Sequence, residues 1–264
     1  MATVCASQGC DFVVLLGDNF YPSGVSSTTD SQWQTAFVTP YANVNVPFYA
    51  VLGNHDYGGG GAGTDFAKPA NEVAYSQVNP KWRMPDTHYR FVEGDVEFFA
   101  ADTNRSLFGL DDAVRTDFAT WTAAAPTTTW RIAMGHHPYR SNGPHGNAGD
   151  YDPICIGSAC VSSPSPINGE KVKSFLETSV CGKVDVYLCG HDHSRQWLTP
   201  TCAGTELIVS GAGGGGLTPV DQKNASYWQS DQLGFLYVVV QGRTFTGTFY
   251  SASGAVEFTR TITK

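Results

Sequence analysis

The chain has 264 residues, of which 41% are hydrophobic and 12% aromatic, a composition typical of globular proteins that excludes a disordered chain. The net charge of −8 argues against a broad basic surface that would bind the phosphate backbone of nucleic acid. The negative charge does not exclude an anionic substrate, because a bound metal ion can supply positive charge locally. No run approaches the roughly 18 apolar residues of a membrane span, and the first ten residues do not read as a signal peptide.

Short apolar runs, several of them continuous as in buried parallel strands, predict most of the secondary structure. The predicted strands are Phe12–Leu16, Pro47–Leu52, Val96–Ala101, Trp130–Met134, Val184–Cys189, Leu207–Ser210, Phe235–Val240 and Thr244–Tyr250. The predicted helices are Ser31–Thr39, Ala113–Ala124 and Asn168–Thr178. The last two strands predict a hairpin around Gly242-Arg243. Strand–helix alternation followed by a strand-rich end predicts an α/β fold with mixed sheets, and residues 1–264 are expected to form one domain.

Seven cysteines favour an oxidising compartment. The candidate disulfides are Cys5–Cys10, Cys155–Cys160 and Cys181–Cys202. Cys189 lies in an apolar run and is expected to be a buried free thiol. Spacing does not determine connectivity, so the alternative that all seven thiols are reduced stays open.

Four predicted strands run directly into polar clusters that each begin with glycine. The clusters are Gly17-Asp18-Asn19-Phe20-Tyr21, Gly53-Asn54-His55-Asp56, Gly135-His136-His137 and Gly190-His191-Asp192-His193. A glycine lets the backbone turn sharply at the end of a strand. The carboxyl edge of an open α/β sheet is also where ligands bind, so the clusters predict one functional site.

In this order the motifs resemble those of the calcineurin-type metallophosphoesterases, and Tyr21 resembles the purple branch of small tartrate-resistant acid phosphatases. The resemblance covers nearly the whole chain. It implies a four-layer α/β/β/α sandwich of two mixed sheets. It also implies an acid phosphatase that hydrolyses phosphate monoesters with a metal-bound hydroxide. We expect a monomer that acts on small-molecule or phosphoprotein esters, without nucleic acid or membrane partners, in a secreted or lysosome- or vacuole-like setting.

The resemblance also implies the ligands of a dinuclear centre. Those of the first metal are Asp18, Tyr21 and His193, and those of the second are Asn54, His136 and His191, with Asp18 bridging the two. A phenolate favours iron(III), so the implied pair is Fe(III) with divalent Fe, Zn or Mn. His55 and His145 are expected to orient the phosphate and donate a proton, and Asp56 to orient His55. A role for His145 as a surface loop residue stays open.

One element of the family pattern is not found, namely a first strand ending in Asp-x-Gly whose Asp binds the first metal. We therefore expect the sheet to lack that strand and to expose unpaired edges, with the first metal binding less tightly than the second. We favour a natural chain that starts earlier. Two alternative functions stay open. One is phosphodiester hydrolysis, and the other is a truncated form that binds metal or phosphate without catalysis. The segment Gly149–Pro166 is longer than in the mammalian enzymes and is expected to overhang the site.

Overall fold

The computed structural model describes residues 1–156 and 159–264, and every strand predicted from the sequence is present to within two residues at each end. The strands are β1 Val13–Leu16, β2 Phe48–Val51, β3 Trp82–Arg83, β4 Tyr89–Glu93, β5 Val96–Ala100, β6 Trp130–Met134, β7 Ile154–Ile156, β8 Ala159–Val161, β9 Val186–Cys189, β10 Arg195–Leu198, β11 Glu206–Ser210, β12 Ser226–Ser230, β13 Gly234–Gln241, β14 Thr244–Ser251 and β15 Val256–Thr263. The helices are α1 Ala2–Gln8, α2 Ala70–Tyr75, α3 Thr103–Phe108, α4 Asp112–Ala123 and α5 Glu170–Ser179, with a π-helix at Trp33–Val38.

Seven strands form a central mixed sheet in the order β12-β10-β11-β9-β6-β5-β4. β5, β6, β9 and β11 run parallel, while β4, β10 and β12 pair antiparallel at the two sides. β5, β6 and β9 are buried along their whole length, which explains their continuous apolar sequences. Because β6 and β9 are parallel neighbours, the residues that follow them lie side by side.

A second layer of strands packs on one face of this sheet. It consists of the parallel sheet β1-β2-β3 and the antiparallel sheet β13-β14-β15, whose β13–β14 turn is the predicted hairpin at Gly242-Arg243. Phe48 from one sheet and Phe245 from the other share a hydrophobic core with Phe98 of the central sheet. The second layer is therefore attached to the first by apolar contact.

A cleft of about 1640 Å³ divides the second layer. In residues 1–156 and 159–264, no strand pairs with the outer edge of β1 or with that of β13, and both edges line the cleft. Asp18 and His193 line it as well. The expected unpaired edges are thus present, and the cleft between them reaches the predicted metal ligands.

Helices cover the outer faces of both layers and complete the expected α/β/β/α order. α4 and α5 pack on the central sheet through Phe118 and Phe175. The π-helix packs beside β2 and β3, where Trp33 stacks on Tyr75 of α2 with ring centroids 3.5 Å apart. None of the described helices combines the length and the apolar character that a membrane crossing requires.

All three predicted disulfides are formed, and Cys189 is a buried free cysteine. Cys5–Cys10 closes the end of α1. Cys181–Cys202 joins the segment after α5 to the turn between β10 and β11, over a separation of 21 residues. Cys155–Cys160 closes the β7–β8 hairpin over only five residues. The pairings support the prediction of an oxidising compartment.

We expect the double variant Cys181→Ser/Cys202→Ser to lower the free energy of unfolding by about 3 kcal/mol, because a disulfide that closes a longer loop removes more entropy from the unfolded chain. The matched variant Cys155→Ser/Cys160→Ser, which opens a five-residue loop, should cost only about 2 kcal/mol. Denaturant unfolding measures both. An equal or larger loss from the hairpin pair would contradict this account.

Candidate metal centre

The four glycine-led clusters meet at one edge of the two layers, at the carboxyl ends of β1, β2, β6 and β9. Of their first glycines only Gly17 is left-handed, with a φ of 86°. The others are required by crowding. A Cβ on Gly53 would lie 2.2 Å from Oδ1 of Asp18, and a Cβ on Gly135 would lie 2.7 Å from the Tyr187 hydroxyl. The expectation that each glycine serves a sharp turn is therefore correct only for Gly17.

Two of the predicted ligands sit on an unusual backbone. Asp18 and His191 have φ values of 53° and 65°, a left-handed region that residues other than glycine rarely adopt. Backbone of this kind persists where the surroundings hold it, and it concentrates at functional sites. Oδ1 of Asp18 helps to hold the turn by accepting a hydrogen bond of 2.9 Å from the backbone N–H of His55.

Four side chains form a first ligand group, which contains the ligands predicted for the second metal. Nε2 of His136 lies at its centre. This nitrogen lies 3.3 Å from Oδ2 of Asp18, 3.0 Å from Oδ1 of Asn54 and 3.1 Å from Nδ1 of His191. Nδ1 of His136 lies 2.8 Å from the carbonyl oxygen of Leu16, so it carries the ring proton and leaves a lone pair on Nε2. Lone pairs therefore converge from four side chains.

Such a convergence needs positive charge at its centre. A proton can supply it, because Asp18 raises the pKa of His136 even though burial acts to lower it. A divalent metal ion satisfies all four groups at once. The ligand atoms of Asp18, His136 and His191 lie within 4.8 Å of one another, and imidazole with carboxylate and amide oxygen suits zinc, manganese or iron. The residues present thus fit a metal ion.

A second ligand group contains the ligands predicted for the first metal, namely Tyr21, His193 and Asp18. The Tyr21 hydroxyl lies 2.9 Å from Nε2 of His193 and 3.0 Å from Oδ2 of Asp18. Nδ1 of His193 contacts the carbonyl oxygen of Gly216, which leaves Nε2 for the hydroxyl. Burial and the charge of Asp18 raise the pKa of Tyr21, so the phenol keeps its proton until a cation displaces it. Oδ2 of Asp18 thus contacts both groups, so this carboxylate could serve a metal ion in either group.

His55 lies beside the second group, where its ring packs on Tyr21 with centroids 4.3 Å apart. Its Nδ1 is 2.8 Å from the carbonyl oxygen of Pro22. The other side of the ring is covered by Gly61, where a Cβ would lie 2.7 Å from Nε2 of His55. Gly61 also accepts a 2.8 Å hydrogen bond from the amide of Asn54, which turns Oδ1 of Asn54 toward His136.

The predicted role of Asp56 in orienting His55 needs correction. The Asp56 carboxylate is fully buried and accepts hydrogen bonds from the backbone N–H of Gly53 at 2.8 Å and of Phe20 at 3.1 Å. It also accepts from the side-chain amide of Asn19 at 3.2 Å. Asp56 therefore ties the turn after β1 to the turn after β2, while Pro22 and Gly61 position the ring of His55.

Sequence reasoning missed the partners of this buried carboxylate. The amide of Asn19 also donates to Oε2 of Glu72 at 3.1 Å and to the carbonyl of Val51 at 2.9 Å. Burial and the charge of Asp56 raise the pKa of Glu72 well above its usual range, which favours the neutral acid. Asn19 lies inside a recognised cluster, but nothing in the sequence around Glu72, in α2, connects it with the site.

His145 lies next to the first ligand group. Its ring packs against that of His191 at an angle of 32°, with centroids 4.1 Å apart, and its backbone N–H donates to Oδ1 of Asp192 at 3.1 Å. One third of the His145 side chain is exposed. The structure thus brings His55 and His145 to opposite ligand groups, where both are accessible to a substrate.

We expect Gly61→Ala to weaken binding of a divalent metal to the first ligand group by roughly 10- to 100-fold, the usual cost of disturbing a group that orients a ligand. The new methyl would collide with His55 and displace Asn54. Gly60→Ala is the matched control, because Gly60 is also left-handed, with a φ of 65°, yet has open space around its Cβ. Calorimetric zinc titration measures both, and equal weakening would show that only backbone strain matters.

The chain is similar in sequence to known acid phosphatases. Tartrate-resistant acid phosphatase type 5 from Sus scrofa is 28% identical over 96% of this chain and 76% of its own length. The Homo sapiens protein of the same name is 28% identical over 93% and 77%, and Purple acid phosphatase 3 from Arabidopsis thaliana is 25% identical over 93% and 67%.

A solved structure described as GAP50, the anchor in the inner membrane complex of Plasmodium, has a TM-score of 0.71 at 20% identity and covers 99% of this chain and 81% of its own. That likeness shows the fold alone. The sequence model for calcineurin-like phosphoesterases matches residues 2–195, most of the chain. The fold, the ligand groups and this match agree, and the chain belongs to the calcineurin-like phosphoesterase family.

Proposed function

We propose that the protein is an acid phosphatase that hydrolyses phosphate monoesters at a dinuclear metal centre. The observation that carries the proposal is the position of Oδ2 of Asp18, which contacts His136 on one side and Tyr21 on the other. Membership of the phosphoesterase family and relatives named acid phosphatases support it. When bound, the metal pair supplies Lewis acidity and positive charge for a phosphate dianion.

The chain's own residues orient the ester and move a proton. Nδ1 of His55 faces the Pro22 carbonyl, so Nε2 is the nitrogen left to contact a phosphate oxygen, and it stabilises the charge that develops there. His145, on the other side, donates a proton to the leaving oxygen. In-line displacement places the leaving oxygen opposite the attacking water, and His145 is the proton donor that we propose for the side of the leaving oxygen.

For the metals we propose Fe(III) with Tyr21, His193 and Asp18, and divalent Fe, Zn or Mn with Asn54, His136 and His191. The anionic oxygens of a phenolate and a carboxylate suit a trivalent ion. The second ligand group offers three side chains and the first offers four. The difference supports tighter binding of the divalent ion.

For substrate and setting, we propose a small-molecule or phosphoprotein phosphate ester, in a secreted or lysosome- or vacuole-like compartment. Three disulfides support an oxidising environment. The net charge of −8 favours these esters over nucleic acid. We propose that the protein acts as a single-domain monomer.

We expect the metal-loaded protein to hydrolyse p-nitrophenyl phosphate much faster than bis-p-nitrophenyl phosphate. Asp18→Asn should lower kcat by roughly 10³-fold or more, because it removes a charge that both metals share. His55→Ala should lower it about 10²- to 10³-fold through lost charge stabilisation. His88→Gln is the control, because His88 pairs with Asp117, outside both ligand groups.

The outcomes separate the alternatives. Faster cleavage of the diester would identify a phosphodiesterase. Metal or phosphate binding without turnover would identify a non-catalytic binding protein. Loss of activity in His88→Gln as large as in His55→Ala would contradict the assigned role of His55.

We expect metal titration to show one tight and one weaker equivalent, with Fe(III) in the weaker site producing a visible phenolate absorption band. Tyr21→Phe should abolish the band and the weaker equivalent, and leave the tight one. Tyr227→Phe, at another exposed tyrosine, should change neither. Two equally tight equivalents would contradict the proposed difference between the sites.

A further inference from the structure

Asp152 makes two contacts with His145. Its Oδ1 lies 2.6 Å from Nδ1 of the His145 ring, and its backbone N–H donates to the carbonyl oxygen of His145 at 3.1 Å. Asp152 has a left-handed backbone with a φ of 48°, a conformation that Asp adopts more readily than most residues. The two residues therefore form a closed unit beside the first ligand group.

The interior of the protein holds this unit in place. Tyr151 is buried, its hydroxyl contacts the carbonyl of Pro138, and its N–H donates to the carbonyl of Asn168 at 3.0 Å. Gly169 packs directly on the Tyr151 ring, where a Cβ would lie 2.1 Å away. Asp152 is thus attached to a fixed neighbour and accepts, through its own carbonyl, a further hydrogen bond from Ser163.

We propose that Asp152 is a positioning residue that sets the ring orientation and the tautomer of His145; the inference rests on the proposed function. A carboxylate at Nδ1 accepts the proton of that nitrogen, so Nε2 is the nitrogen left for the substrate. In residues 1–156 and 159–264, Nε2 of His145 has no hydrogen-bond partner. Packing against His191 keeps the ring close to the metal ligands.

The proton transfer that Asp152 supports is balanced. Water adds its oxygen to phosphorus while the bond between phosphorus and the ester oxygen breaks, and the electron pair of that bond stays on the ester oxygen. The ester oxygen takes a proton from Nε2 of the protonated His145 ring, which leaves the ring neutral with its remaining proton on Nδ1, hydrogen-bonded to Oδ1 of Asp152. The proton released by the attacking water passes to solvent.

The test varies the leaving group. Asp152→Ala should lower kcat/KM for glycerol 2-phosphate roughly 10- to 100-fold, because an alkoxide needs a well-placed proton donor. The same variant should change kcat/KM for p-nitrophenyl phosphate by less than about 3-fold, because p-nitrophenolate leaves with little protonation. Asp152→Asn should lie between, since its amide oxygen still accepts from Nδ1. Asp150→Asn is the control, because Asp150 contacts Lys223 and Ser162.

A second readout does not depend on activity. Long-range ¹H–¹⁵N NMR of the metal-free protein, at a pH where the imidazoles are neutral, should show His145 protonated at Nδ1. Asp152→Ala should give a mixture of tautomers. Equal losses with both substrates, no loss, or an unchanged tautomer would overturn the inference. If the wild-type protein hydrolyses neither ester with any metal, the proposed function fails, and the NMR result still decides whether Asp152 sets the His145 tautomer.

Discussion

The site depends on one electrostatic constraint, which is that several lone pairs face each other around Nε2 of His136 and Oδ2 of Asp18. His136, Asn54 and His191 approach from one side, and Tyr21 with His193 from the other. Unpaired acceptors at such distances repel each other and lose hydration, so the arrangement is stable only with protons or cations between them. The raised pKa values of His136 and Tyr21 express the same requirement in the metal-free protein.

The fold meets this constraint by using backbone atoms to orient the ligands. Carbonyl oxygens of Leu16, Gly216 and Pro22 accept from His136, His193 and His55, so in each ring one nitrogen is occupied and the other is directed to the site. Of these three residues only Leu16 lies in a strand, where it pairs with Val51 of β2, while Pro22 and Gly216 belong to the segments after β1 and β11. Asp56 performs the corresponding task for the two turns of the smaller sheet.

Much of this arrangement could be predicted from sequence because it is local. A buried parallel strand leaves a continuous apolar run, and a ligand directly after such a strand has a known place at the edge of the sheet. β10 was missed because its sequence, Arg195-Gln196-Trp197-Leu198, has a polar start although all four residues are buried. Arg195 is accommodated there by Glu257 and the carbonyl of Tyr250, which are far away in the chain.

The same reasoning explains the errors at the site. Asp56 follows His55 in the sequence, and adjacency suggested contact, yet in the turn after β2 the His55 ring faces the Pro22 carbonyl while the Asp56 carboxylate faces the backbone N–H groups of Gly53 and Phe20. Asp152 lies in Gly149–Pro166, where the chain departs from the family pattern, so no motif marked it. Glu72 and Asn19 are hydrogen-bonded although 53 residues separate them in the chain. Hydrophobic periodicity does not predict contacts between residues so far apart in sequence.

The crowding behind Gly53 and Gly17 has a consequence for how the protein can evolve. The space that a side chain would need at Gly17 is filled by the imidazole of His136, and at Gly53 it is filled by the carboxylate of Asp18. Each glycine is thus the steric counterpart of a ligand from a different strand. Exchange of one ligand for a smaller residue would not by itself free its glycine to vary, because Gly17 keeps its left-handed φ of 86° and a Cβ on Gly53 would still lie 2.4 Å from the backbone nitrogen of Asp18. In this protein the backbone of the site therefore fixes both glycines together with the ligands, and a change of ligand alone would leave the glycine-led signature in place.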